Sequence, residues 1–283
     1  MDSHKGLDPS SGNTNRVFCP FFITVPMIDI HSHILWGIDD GPRTLDESLA
    51  MLRVAAAAGT TDIVATPHAN SRYPFDPVVI ASRIEELRQI HIGPPRIHSG
   101  CDFHLSPLNI DDAVRNPVKY TINSGQYLMV ELPESFSPDS IRHALHSLVD
   151  EGMLPVITHP ERNPVLQRSQ ESIDRWIDLG CLVQITAQSL MGRFGRAAKR
   201  AAWQTVRTGR AHFIASDAHD VTDRPPCLDG AYELLRKEVG ESAAGRLVKD
   251  HPLAAIENRD DEIDTAYKPQ AKAWYRFFRT MIV

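Results

Sequence analysis

The chain has 283 residues, 42% of them hydrophobic and 23% charged, and a net charge of −6. That is long enough to bury a sizeable core, ordinary in composition for a soluble globular protein, and gives no reason to expect a nucleic-acid partner. No apolar stretch approaches the ~20 residues that span a bilayer, and the four scattered cysteines (Cys19, Cys101, Cys181, Cys227) favour free thiols in a reducing, cytoplasmic compartment.

Residues 1–26 read as a disordered or loosely packed extension: the first part is rich in Ser, Gly and Asn, and the apolar run after it is short and broken by prolines. Residues 26–30 read as the first strand, ending in Asp29-Ile30-His31-Ser32-His33 with Gly37-Ile38-Asp39-Asp40-Gly41-Pro42 behind it. Residues i and i+2 of a strand share a face, so His31 and His33 can grip one ion from a strand mouth. Thr44 and Glu47 form a capping-box pattern that opens a helix over 45–58, stopped by Gly59. A second strand, 62–66, ends in Pro67-His68, and a helix spans 77–90. A third strand, 95–99, runs into Gly100-Cys101-Asp102, with a short helix at 109–114.

The fourth strand, 127–130, delivers Glu131-Leu132-Pro133, and Ser137-Pro138 starts a helix that ends near Gly152. The fifth, 154–158, delivers His159-Pro160-Glu161-Arg162-Asn163. A helix at 168–179, a sixth strand at 182–186 and a helix at 195–208 follow. The seventh strand, 211–215, delivers Ser216-Asp217-Ala218-His219, and two helices fit 228–239 and 243–258. Such alternation implies a parallel sheet with helical crossovers. Every flagged His, Asp and Glu follows a strand, at the carboxyl end where α/β active sites gather. An open sheet of seven strands would spread these residues over roughly 30 Å. If they act together the sheet must close, so the expected fold is a distorted seven-stranded barrel.

The candidate metal ligands are His31, His33, Asp40, His68, Asp102, Glu131, His159, Asp217 and His219. Nine is too many for one ion and suits two or three. Imidazole and carboxylate without thiolate suits manganese, iron or zinc and argues against a Cys-rich structural site. His98, His104, His143, His146, His212 and His251 read as structural or surface residues, His104 being the nearest to an exception. Adjacent cations lower the pKa of a shared water and clamp the attacking and departing oxygens of a phosphoryl group. Arg162 and Arg224 sit where guanidinium forks could hold its oxygens. The chain has no Cys-x5-Arg, no P-loop and no Gly-x-Ser-x-Gly elbow.

Taken together these motifs resemble the PHP superfamily, and most closely its CpsB/CapC branch of metal-dependent protein-tyrosine phosphatases, over residues 27–258. The Gly-Ile-Asp-Asp-Gly-Pro turn and the His-Pro-Glu-Arg-Asn run carry the finer match. The resemblance implies a distorted (β/α)7 barrel of mostly parallel strands with two or three divalent ions, commonly Mn2+. On that template His31, His33, Asp102 and Asp217 hold one ion. Asp102, Glu131 and His159 hold a second, and Asp40, His68 and His219 the third. Arg162 and Arg224 match phosphate-holding positions. Asp102 stands where the family usually has Glu. The implied substrate is phosphotyrosine on the tail of a membrane tyrosine kinase that regulates capsule or exopolysaccharide synthesis, reached at the inner face of the membrane. A small phosphate ester such as histidinol phosphate, or a metal-binding regulator without turnover, are the alternatives. Residues 259–283, with Trp274, Tyr275, Phe277 and Phe278, are expected to pack on the barrel or at an oligomer interface.

Overall fold

The first three helices begin where the local sequence supplies a partner for their free N–H groups. In the computed structural model, which describes residues 25–134, 136–168, 170–259 and 263, α1 (Leu45–Ala57) starts with the reciprocal Thr44–Glu47 capping box. The Asp76 carboxylate accepts from the N–H groups of Val78 and Val79 to open α2 (Pro77–Ile90). Ser106 does the same for α3 (Pro107–Arg115), and proline occupies the first turn of α2, α3 and α4 (Pro138–Asp150), where its missing N–H costs nothing. Residues 1–24 and nearly all of 260–283, the bulk of the two expected extensions, lie outside the described residues.

The strands are β1 (Met27–Ser32), β2 (Thr60–Ala65), β3 (His68–Ala69), β4 (Arg96–Ser99), β5 (Asp102–His104), β6 (Tyr127–Glu131), β7 (Leu154–Thr158), β8 (Leu182–Thr186) and β9 (Phe213–Ala215). Every pairing is parallel, in the orders β1-β2-β4 and β3-β5-β6-β7-β8-β9. The two sheets share staves. β2 continues through Thr66-Pro67 into β3, and β4 through Gly100-Cys101 into β5, while β2 pairs with β4 and β3 with β5. A parallel bridge between Ser32 and Ala218 closes the ring, with His33 N to Ala218 O at 2.8 Å and Asp217 N to His31 O at 2.8 Å. The result is the expected distorted barrel of seven staves, broken where Pro67 lacks a ladder donor and where Gly100 admits its neighbour. A Cβ on Gly100 would lie 2.8 Å from Val64 Cγ1.

Alternation along the staves sorts two cores. Tyr127 and Met129 of β6 face inward with Val156, Leu182, Phe213 and Ala215. Leu128 and Val130 face outward against Ile141, Leu145 and Leu148 of α4. At the amino ends of the staves α10 (His251–Ile256) plugs the barrel with Ala254, Ala255 and Ile256. Asn123 Nδ2 donates to Ile256 O at 2.9 Å and secures it. With the bottom sealed by apolar side chains, polar groups are left to the carboxyl ends.

The remaining helices are α5 (Glu171–Ile177), α6 (Ala187–Met191), α7 (Gly195–Arg207), α8 (Asp229–Val239) and α9 (Glu241–Gly245). The helix expected over 243–258 is present as one continuous helical run from Glu241 to Ile256, made of α9, a π-helical turn at Arg246–Asp250, and α10. Pro252 lacks the N–H that a regular α-helical ladder would need there, and its ring crowds the preceding turn.

Candidate metal centre

β1 builds one wall through a bulge. Asp29 pairs with Ile63 and Ser32 with Ala65, so three steps along β1 match two along β2. The extra residue lets Ile30 lie in the inner apolar cluster while its neighbour His31 also reaches the barrel axis. Simple alternation would have sent one of the two outward. His31 Nδ1 meets Gln184 Oε1 of β8 at 3.0 Å, which leaves Nε2 facing Asp217 Oδ1 at 3.5 Å and Asp102 Oδ2 at 3.7 Å. His33 Nδ1 meets Asp39 Oδ2 at 2.7 Å, and its Nε2 faces Asp217 Oδ1 at 3.5 Å.

The other staves complete the ring. His68 Nδ1 lies 3.2 Å from Asp102 Oδ2 and 3.7 Å from Glu131 Oε2, and its Nε2 lies 3.4 Å from Asp40 Oδ1. His219 Nε2 reaches the same Asp40 oxygen at 3.4 Å. Ring centroids of His33 and His219 are 4.0 Å apart, and those of His33 and His68 are 4.5 Å apart. His159 enters with left-handed backbone (φ 34°), its ring 5.6 Å from that of His31.

All nine expected ligands fall into four sets whose donor atoms lie within 4.8 Å of one another: His33, Asp40, His68 and His219; His31, His33 and Asp102; His31, His159 and Asp217; His68, Asp102 and Glu131. The template's grouping of His159 with Asp102 and Glu131 is not among these sets; the turned backbone at His159 carries its ring toward His31 and Asp217. Asp102 falls in two sets, so its shorter arm still reaches both sides. His104 stands at the rim, 3.4 Å from Glu131 Oε2.

The donor chemistry fits divalent cations. His31 Nε2, His33 Nε2, His68 Nδ1 and Asp102 Oδ2 are all buried and have no hydrogen-bond partner. Buried polar atoms without partners are costly, and cations held by the adjoining sets would satisfy all four. The protonation equilibria are those of a site built for positive charge. Burial alone would raise Asp102 and Asp217, yet His31 and the neighbouring imidazoles hold both well below the ordinary carboxylate range. Burial opposes the charged form of His33 and His68, but Asp39 and Asp217 hold the first up at about 9, and Asp102 and Asp40 hold the second up at about 11. His159 is pushed down to about 3 by burial and by Arg162. When bound, divalent cations supply an acidified water and a charge clamp for phosphoryl oxygens.

The arginines converge on this cluster. Arg162 NH1 and Arg224 NH2 both contact Asp217 Oδ2, the second at 2.5 Å. Both guanidiniums also lie over the Phe194 ring, their carbons 4.5 and 5.9 Å from its centroid. Arg162 rides on the turn after β7, which is fastened twice. Asn163 Nδ2 donates to Pro133 O at 3.0 Å, and the buried Glu161 carboxylate accepts from Thr186 N at 3.1 Å and Ser189 Oγ at 2.6 Å. Arg224 is held by an Asp220 side chain that accepts from the N–H groups of Thr222, Asp223 and Arg224. A cavity of about 330 Å³ opens between Glu131, His159, Arg162 and Asn163.

Sequence reading missed the residues that aim the ligands. Asp39 was visible only as the neighbour of Asp40, Gln184 only as a lone amide in the middle of an apolar strand, and Glu161 only inside its run. Phe194 gave no signal, because nothing local shows which cations will stack on it.

The comparisons with known proteins agree with this architecture. At the level of fold alone, the lactonase Lmo2620 from Listeria monocytogenes superposes with a TM-score of 0.56 at 11% identity, over 82% of this chain and 94% of that one. The tyrosine-protein phosphatase YwqE of Bacillus subtilis is 31% identical over 231 residues, 80% of this chain and 91% of its own. CpsB of Streptococcus agalactiae is 29% identical over 244 residues, 82% of this chain and 99% of its own. A crystal structure from work on YwqE and Streptococcus pneumoniae CpsB, described as unique metal-dependent tyrosine phosphatases, superposes with a TM-score of 0.77 at 29% identity, over 82% and 95% of the two chains. The family described as "Capsular polysaccharide synthesis, CpsB/CapC" matches residues 27–257, and the chain belongs to it.

Proposed function

We propose that the chain removes phosphate from tyrosine on the tail of a membrane tyrosine kinase that controls capsule or exopolysaccharide assembly, working at the inner face of the membrane. As a CpsB/CapC member it is a metal-dependent tyrosine-protein phosphatase; the ligand set, the phosphate-binding residues and the kinase substrate are the proposal. The carrying observation is that two guanidiniums meet at one point on the edge of a buried imidazole–carboxylate cluster. Arg162 and Arg224 would take two phosphoryl oxygens and neutralise charge as it develops. Phe194 would keep their planes oriented, and Asp217 would hold them in place between turnovers. The nine ligands would hold the cations, for which manganese is the first expectation and iron or zinc the alternatives. A tyrosine phenolate leaves readily, with a pKa near 10, so no strong general acid is demanded.

The mouth favours a protein substrate over a small ester. His31 and Asp102 are fully buried, but the side chains of Asp40, Glu131 and Arg162 are 46%, 24% and 29% exposed. A tail can therefore cross the site without a lid. Among the described residues no helix is long and apolar enough to cross a membrane, so membrane location would come from the substrate. The test is turnover of a phosphotyrosine peptide with manganese, before and after chelation, in competition with histidinol phosphate. Peptide turnover abolished by chelator and restored by manganese is expected; turnover indifferent to chelator, or preference for the small ester, refutes the reading.

A further inference from the structure

Helix α7 and the loop before it carry a charge pattern the chemistry above does not use. Between Asp178 and Asp217 the chain has no acidic residue, yet it has Arg193, Arg196, Lys199, Arg200, Arg207 and Arg210. The last two are neutralised: Arg207 Nε lies 3.0 Å from Glu238 Oε1, and Arg210 NH2 lies 2.7 Å from Asp174 Oδ2. The first four are exposed and make no ion pair among the described residues. In a chain of net charge −6, four unpaired cations within eight positions form a local positive field against the general one.

Their location gives the field a use. A crossover helix runs back from the carboxyl end of its strand, so the first turns of α7 flank the mouth of the barrel. α7 packs against the turn Pro160–Arg162. Phe194, between Arg193 and Arg196, is the ring on which Arg162 and Arg224 stack. The patch is thus continuous with the phosphate end of the site. Residues 196, 199 and 200 share one helix face.

We infer that this patch, Arg193, Arg196, Lys199 and Arg200, binds an anionic stretch of the same polypeptide that presents the phosphotyrosine. Acidic side chains, or further phosphotyrosines carrying nearly two charges each, would meet it on the flank of the reacting position. The inference rests on the protein-phosphatase reading above. A bilayer is the weaker partner. The patch borders a cleft rather than standing alone, and the rest of the molecule is acidic, which opposes approach to an anionic surface.

The experiment compares three substrates at increasing salt: para-nitrophenyl phosphate, a peptide with one phosphotyrosine among neutral residues, and the same peptide with four glutamates on one flank. Each contains a single scissile ester. Wild type is expected to favour the acidic peptide by about tenfold in kcat/KM at low salt, the preference fading as salt screens it. The triple charge reversal R196E/K199E/R200E should abolish that preference and leave the aryl phosphate within about twofold of wild type. The neutral variant R196Q/K199Q/R200Q, with its melting temperature, guards against a folding defect. Equal effects on all three substrates, or none on the acidic peptide, overturn the inference. So does loss of binding to phosphatidylserine vesicles, measured against phosphatidylcholine alone, with peptide kinetics unchanged. Wild type that cleaves the aryl phosphate but neither peptide rejects the protein-phosphatase reading itself.

Discussion

Asp39 coordinates nothing in the proposed site, yet it fixes two of its members. Its Oδ2 lies 2.7 Å from His33 Nδ1 and accepts from His68 N at 3.0 Å, while Oδ1 accepts from Gly41 N at 3.0 Å. A carboxylate behind an imidazole fixes its tautomer and makes the opposite nitrogen a better ligand. Asp39→Asn should weaken manganese binding about tenfold to a hundredfold, read by titration calorimetry, with unfolding by urea little changed. Phe194 acts on the other side of the site. A ring beneath a guanidinium is worth about 0.5–1 kcal/mol at an exposed site, and here one ring serves two. Phe194→Leu keeps the apolar volume and loses the ring face, so inhibition by inorganic phosphate should weaken by about threefold to tenfold. Phe194→Trp should restore it, and manganese affinity should stay put in both. Arg162→Lys or Arg224→Lys without effect on phosphate inhibition would instead remove the premise that these arginines hold phosphate.

At the scale of elements, what was legible depended on length and pattern. α2, β7 and β8 fall on the residues that proline, apolar runs and turn glycines had marked. β3 and β5 could not be read, since two and three residues of strand carry no periodicity. Helix α6 was hidden for another reason: Ala187, Gln188, Ser189 and Leu190 are all buried, so it shows no polar face. The nine candidate ligands were legible because all but Asp40, which sits on an acidic turn, lie at or just after the end of an apolar run. The residues that aim them were not, because bulge, cap and stacking depend on partners distant in sequence. Gly100 sits at one of these unread junctions. An added Cβ would meet Val64 Cγ1 at 2.8 Å and Thr66 Cγ2 at 3.2 Å, across the joint where β4 passes into β5. Gly100→Ala must push the staves apart and should cost about 1–3 kcal/mol, measured as a fall in the urea midpoint at unchanged slope. Because Asp102 follows two residues later, manganese affinity should fall with it.

Over the whole molecule, stability and chemistry sit at opposite ends of the barrel. At the amino ends, the buried Asp62 of β2 accepts from Arg96 Nε at 2.8 Å and lies 2.9 Å from His98 Nε2, both on β4. Asn123 Nδ2 joins His98 Nδ1 at 3.2 Å to the α10 plug. Burial works to raise the Asp62 pKa, but His98 and Arg96 outweigh it and hold it at about 2. A carboxyl held below its unfolded value of about 3.9 adds stability above that pH and loses it as the pH falls through the folded value. Asp62→Asn should therefore cost about 1 kcal/mol near neutrality, a figure reduced because Arg96 is exposed. The gap between variant and wild type should close as the pH falls from about 4 toward 2. Asp62 and His68 are six residues apart along one stave, roughly 20 Å, far enough for the two ends to act independently. Manganese that binds only the folded barrel at about a hundred times its dissociation constant should stabilise it by about 2.7 kcal/mol. Wild type and Asp62→Asn should gain that same increment within about 0.5 kcal/mol, measured by urea unfolding with and without metal. A metal increment that shrinks in the variant would mean that closing the bottom of the barrel is what holds the ligands in register at the top.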